Sequence, residues 1–130
     1  KVESRIITQL LSNRTIKIGN LSPKRDFVYI DDVIRAFQIV IKNLKGFNIY
    51  NVGLERSYSI QEICNILKKL SGKKISVVTD KTKLRKNDIK NVVSDCSKIK
   101  KLGWKPKISI NKGLELTLNW YITRKIEIHN

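Results

Sequence analysis

At 130 residues with 41% apolar side chains, the chain has the size of one domain with a core of modest volume. Twenty-seven Lys and Arg against 11 Asp and Glu give a formal charge of +16, which suits an anionic ligand and keeps a nucleic-acid partner open. There is no run of 18 apolar residues and residues 1–20 lack the zones of a signal peptide, so the sequence predicts neither a membrane span nor secretion and places the chain in the cytoplasm.

VESRIITQLLS, residues 2–12, spaces Ile6, Ile7, Leu10 and Leu11 as a helix does, with Asn13 as its stop and the β-branched TIKI at 15–18 as a strand. Gly19, Asn20 and LSP at 21–23 make a loop, and FVYI at 27–30 predicts a second strand. Asp31 or Asp32 then caps a helix that carries Val33, Ile34, Phe37, Val40 and Ile41 inward as far as Asn43, with Gly46 closing the turn. FNIYNV at 47–52 alternates like a strand and ends at Gly53. Ser59 with Glu62 forms a capping box for the helix IQEICNILKKL, which Gly72 terminates. KISVVTD at 74–80 predicts another strand, and KTKLRKND at 81–88 a polar loop of the kind that often faces ligands. A short helix near SKIKKL stops at Gly103, and Pro106 prevents its continuation. The last helix starts near Ser109 or Asn111, with Leu114, Leu116, Leu118 and Trp120 among its apolar residues. There is no internal repeat, linker or low-complexity tract.

Metal chemistry finds little support, because Cys64 and Cys96 lie far apart without CxxC spacing and His129 is the only histidine; the thiols are expected to be buried and reduced. The cations are mostly Lys spread over turns and helix faces, among them Lys68, Lys69, Lys98, Lys100 and Lys101, without the Arg and aromatic interleaving of a base reader. A solvated Lys-rich surface is therefore preferred to nucleic-acid binding.

Three stretches, RDFVYIDDVIRAF, YNVG and SDCSKIKKLGWKPKISINKGLELTLNWY, stand in the order and spacing found in the extended short-chain dehydrogenases. The chain resembles the C-terminal portion of these NAD(P)-dependent nucleotide-sugar epimerases, 4,6-dehydratases and 4-keto reductases. GNLSPKRDF and LRKNDIKNVVSD are most similar to the GDP-mannose 4,6-dehydratase and GDP-4-keto-6-deoxymannose reductase branch. The resemblance implies an α/β fold: a single small mixed α+β substrate-binding domain over residues 1–130, from a Rossmann-type enzyme whose N-terminal dinucleotide-binding domain is absent. It also implies the family's chemistry for the whole enzyme, hydride transfer at sugar C4 to the nicotinamide assisted by a Tyr/Lys pair. NAD(P) is not expected to bind this chain alone, since its six glycines cannot form GxxGxxG or GxGxxG. No catalytic residue is assigned either. Tyr121 and Lys125 have YxxxK spacing, but the family's catalytic pair lies upstream of the matched region.

What remains is a set of groups able to read a nucleotide-diphosphate sugar. Arg25 follows the loop after TIKIGN; a guanidinium there gives two parallel hydrogen bonds to phosphate oxygens, and by resemblance it lies near the diphosphate. Its structural alternative is an ion pair with Asp26 or a helix dipole, and Lys24 is an accessory. Asn51 of YNVG matches a substrate-contacting position of some dehydratases, or else is a turn residue before Gly53. Arg85 and Asp88 resemble the segment that closes over base and ribose, where a carboxylate suits the N1 and N2 edge of guanine; the alternative is an exposed loop salt bridge. Arg5 sits where related enzymes carry a basic residue facing substrate, or else simply faces solvent. Trp104 and Pro106 are packing residues. The missing Rossmann domain or a second copy of the chain is the expected protein partner, across an exposed apolar face. The rival from another class is a free-standing basic module for nucleic acid or acidic partners.

Overall fold

A computed structural model describes residues 2–84 and 88–129, the side chains of 125–129 excepted. The chain runs α1 (Val2–Ser12), β1 (Thr15–Ile18), β2 (Lys24–Asp26), α2 (Ile30–Lys42), β3 (Ser57–Ser59), α3 (Ile60–Ser71), β4 (Ser76–Thr79), a 3-10 turn (Lys81–Lys83), α4 (Ser97–Lys100) and α5 (Ile110–His129). Among the described residues, the strands form two separate pairs. β1 and β4 run parallel in register from Thr15 opposite Ser76 to Ile18 opposite Thr79, the chain between them crossing over through α2, β2, β3 and α3. β2 and β3 are antiparallel, with Arg25 opposite Tyr58.

One hydrophobic core joins α1, β1, α3 and α5. Ile6, Ile7 and Leu10 come from α1, Ile16 and Ile18 from the alternating β1, and Leu114 and Leu118 from α5. α3 contributes Ile60, Ile63, Cys64 and Leu67, the i, i+3, i+4, i+7 stripe of an amphipathic helix. Its ends follow from sequence. Ser59 Oγ accepts the Glu62 N–H at 3.1 Å while Glu62 accepts the Ser59 N–H at 2.7 Å, and Gly72 closes the helix at φ +65. At α5, Ser109 is the cap: its Oγ accepts the Lys112 N–H at 3.3 Å and its carbonyl the Gly113 N–H at 2.9 Å.

A second, smaller cluster gathers Ala36, Cys96, Ile99 and Trp104, with Ile39, Val40, Tyr50 and Val52 against it. Its anchor is Asp32, which is fully buried. The Asp32 carboxylate accepts the Lys107 and Ile108 N–H groups at 3.0 Å each and pairs with Arg35, while the Trp104 indole donates to the Asp32 carbonyl at 3.0 Å.

Four expectations are corrected. The strand lies at Lys24–Asp26, not at 27–30; residues 27–29 join no ladder, because the partner Ser57–Tyr58–Ser59 aligns with the polar residues before them. Aromatic and β-branched runs report a half-buried surface, whereas a ladder needs a partner edge. Tyr29, not Asp31 or Asp32, is the N-cap of α2, and it makes no side-chain cap bond; the two aspartates lie in the first helical turn, where their charge suits the helix dipole. FNIYNV forms no strand, since no edge meets it among the described residues, and Phe47 is 91% exposed. Finally, Ile34, Phe37 and Ile41 do not face inward. Asp32 ties the opposite side of α2 to the 104–108 segment, and this leaves Ile30, Ile34, Phe37 and Ile41 in one exposed stripe.

Candidate functional site

β1 ends at Gly19, where the chain turns through Asn20 and Pro23 into β2 and brings Arg25 beside the start of the strand-like segment at 88–92. A cavity of about 360 Å³, within the range of small-ligand sites, opens there. Arg5, Gly19, Asn20, Arg25, Lys83 and Asp88 line it. Gly19 is required by proximity: a Cβ there would stand 2.5 Å from the Lys83 carbonyl oxygen. Asn20 shapes the loop, its Oδ1 accepting from Ser22 N at 3.1 Å and Ser22 Oγ at 2.9 Å.

Arg25 is held rather than loose. Its Nη2 donates to Asp88 Oδ1 at 2.8 Å, and its Nη1 to the carbonyls of Ile89 at 2.6 Å and Lys24 at 2.8 Å. The Arg25 side chain remains 31% and the Asp88 side chain 20% exposed, and both line the cavity. Lys83 is oriented by Asp80. That carboxylate also caps the 3-10 turn through the Thr82 N–H, and the Lys83 ammonium is the main reason its pKa is held down at about 2. Two cationic side chains, Arg25 and Lys83, thus stand fixed around one cavity, with Arg5 a third at its rim.

The structure therefore brings Arg25, Asp88 and Arg5 together. The partner of Arg25 is Asp88 and not Asp26, whose carboxylate is engaged elsewhere. Lys24 is exposed and joins the arrangement through its backbone, accepting from Val92 N at 3.1 Å and donating to the Lys90 carbonyl at 2.9 Å. Asn51 is exposed and donates to the Asp95 carbonyl at 3.2 Å, outside this cavity lining. Arg85 lies outside the described residues. Lys83 and Asn20 were missed by sequence reasoning, although Gly19–Asn20 directly after a strand is a signal for a tight approach.

Elsewhere, Cys64 and Cys96 are buried free thiols, and burial pushes Cys64 up to about 11, which makes it a poor nucleophile. Among the described residues no group of three His, Cys, Asp or Glu side chains gathers as a metal site. Tyr121 packs against the main core and meets Trp120 edge to face at 5.0 Å, and both line an apolar groove with Phe27 and Tyr29. No helix among the described residues is long and apolar enough to cross a membrane.

The sequence model of the GDP-mannose 4,6 dehydratase family matches residues 2–117. The UDP-glucuronate 4-epimerase of Thermodesulfobacterium geofontis is 40% identical over 119 residues, which are 89% of this chain and 36% of that protein. A putative GDP-L-fucose synthase of Arabidopsis thaliana is 34% identical over 84% of this chain and 33% of its own length. The crystal structure of UDP-glucose 4-epimerase from Thermotoga maritima with UDP-glucose superposes with a TM-score of 0.76 at 30% identity, covering 95% of this chain and 39% of that one. The chain thus spans about a third of the length of the curated relatives it matches. Its fold is the small mixed α+β C-terminal portion of the extended Rossmann-type short-chain dehydrogenases. The comparisons give no support to a basic nucleic-acid module.

Proposed function

The chain belongs to the GDP-mannose 4,6-dehydratase family of nucleotide-sugar epimerases and dehydratases, and we propose that its 130 residues hold the nucleotide-sugar substrate through Arg25. The observation that carries this reading is the cavity of about 360 Å³ in which Arg25, Lys83 and Arg5 converge. A diphosphate carries its charge on several oxygens, and a fixed guanidinium with a second cation matches it by charge-assisted, geometrically specific hydrogen bonds. Asp88 holds the guanidinium in place and offers a carboxylate to the nucleoside. We put GDP first among the nucleotides, because guanine presents adjacent N1–H and N2–H donors to a carboxylate and uracil does not. Arg85, which lies outside the described residues, is assigned to the nucleoside by its resemblance to the family segment alone. Lys24 and Asn51 take accessory places.

The residues present do not fit a dinucleotide. β1 runs into a loop and then β2 rather than a helix, and the space beside Gly19 is filled by the Lys83 carbonyl. NAD(P), which serves as hydride carrier in the family, belongs with the larger part of the relatives that this chain does not span. The exposed stripe Ile30, Ile34, Phe37 and Ile41 supports the same division, since a face of this kind in a chain covering a third of its relatives is where the remaining domain packs.

Calorimetric titration of the chain with GDP-mannose, UDP-glucose and random DNA, repeated with Arg25→Ala, tests the reading. Losing charge-assisted bonds weakens sugar-nucleotide binding by about 10- to 100-fold. Unchanged affinity in Arg25→Ala, or DNA binding with no response to either sugar nucleotide, overturns it.

A further inference from the structure

Side chains alternate across a strand, so Arg25 and its neighbour Asp26 leave opposite faces of β2. Arg25 turns to the cavity. Asp26 turns away from it and accepts backbone N–H groups from two remote stretches: Leu54 at 2.7 Å and Glu55 at 3.0 Å from one, Ser94 at 3.1 Å from the other. These stretches come close because residue 53 is glycine; a Cβ there would fall inside contact distance of both the Asp26 carboxylate and Ser94 Oγ. Glu55 sits at φ +55, a conformation that costs a non-glycine residue and persists where surrounding bonds impose it. The Glu55 carboxylate in turn accepts the Cys96 N–H at 3.2 Å and pairs with Lys100, which is the main reason its pKa is held below the usual range.

The segment between Asp88 and Ser94 is consequently fixed at both ends by adjacent residues of β2. Arg25 holds its start through Asp88 and the Ile89 carbonyl, the Lys24 backbone holds its middle through Lys90 and Val92, and Asp26 holds its end through Ser94. A shift at Ser94 is therefore transmitted along a short, paired segment to Asp88 and the Ile89 carbonyl, two of the three groups that hold the Arg25 guanidinium.

We propose that Asp26 is a positioning residue of the nucleotide-sugar site: anchoring the 53–55 turn and Ser94 behind β2, it sets the register of residues 88–94 and thereby the direction of Arg25. This rests on the assignment of Arg25 to the diphosphate. Asp26→Asn keeps the size of the side chain but turns one acceptor oxygen into an N–H donor facing backbone N–H groups. Three quantities are read on the chain: affinity for GDP-mannose by calorimetry, the NMR signal of the Arg25 Nε–H, and the thermal midpoint. Leu67→Ala, in the main core away from the cavity, is the control for lost stability alone. At a temperature where all variants are folded, Asp26→Asn weakens binding about tenfold and moves the Arg25 signal, while Leu67→Ala does neither. Where Asp26→Asn does not fold, Asp26→Glu, which keeps the charge and displaces the carboxylate by one methylene, gives the same readout. An Asp26 variant that lowers the thermal midpoint but leaves affinity and the Arg25 signal as in the parent overturns the proposal. If the parent binds no sugar nucleotide, the assignment of Arg25 fails by itself, and the Arg25 signal alone decides: moved, Asp26 positions the guanidinium; unmoved, it does not.

Discussion

α2 and α3 are nearly equal in length, at 13 and 12 residues, and both are strongly amphipathic, yet their apolar stripes meet opposite fates. Ile60, Ile63, Cys64 and Leu67 of α3 are enclosed by α1, β1 and α5. Ile30, Ile34, Phe37 and Ile41 of α2 lie at the surface, 48% exposed or more, and Leu44, Phe47 and Ile49 in the loop that follows are exposed as well. The reason is Asp32. Its carboxylate is satisfied by Lys107, Ile108 and Arg35, and this polar junction fixes which way α2 is turned. Amphipathicity shows that a helix has a partner; it does not show that the partner lies within the same 130 residues. A closed core and an uncovered apolar stripe therefore coexist in one domain.

The sharpest way to break this comparison is at the enclosed helix. Leu67→Ala removes a fully buried side chain and leaves a cavity, so urea unfolding should show a loss of about 2–5 kcal/mol, and a loss below about 1 kcal/mol would mean that the main core is not closed. Asp32→Ala probes the junction that orients α2. It strands two partly buried N–H groups and one side of the Arg35 pair, and the expected cost is about 1–3 kcal/mol, with the Trp104 fluorescence changing as its surroundings loosen. The smallest effect belongs to the exposed stripe. Phe37→Gln should leave the stability of the chain within about 0.5 kcal/mol of the parent while reducing its self-association in sedimentation at high concentration. A marked loss of stability from that substitution would show that the stripe is already covered.

Much of this was legible in residues whose effect is local. The capping box at Ser59 and Glu62, the stop at Gly72, the alternation of TIKI and the period of IQEICNILKKL each specify their own conformation within a turn or a strand, and the structure agrees with them. Arg25 and Asp88 could be singled out as candidates from the short motifs that carry them, but their contact across 63 positions could not. The polar Ser57–Ser59 strand carried no periodic signal, and the aromatic 27–30 run carried a misleading one; a strand exists only where a second edge arrives, and that edge is chosen by the fold.

The same division applies to the site. Sequence determined the chemistry available, a guanidinium, a carboxylate and neighbouring cations, and the helices that frame them, since residue type and local spacing fix both. Tertiary structure alone decided that Asp26 points away from Arg25 to bind Leu54, Glu55 and Ser94, that Lys83 joins the cavity, and that the apolar face of α2 looks outward. Those are relations between segments tens of residues apart, settled by competition for buried hydrogen bonds and apolar contact that no local pattern records.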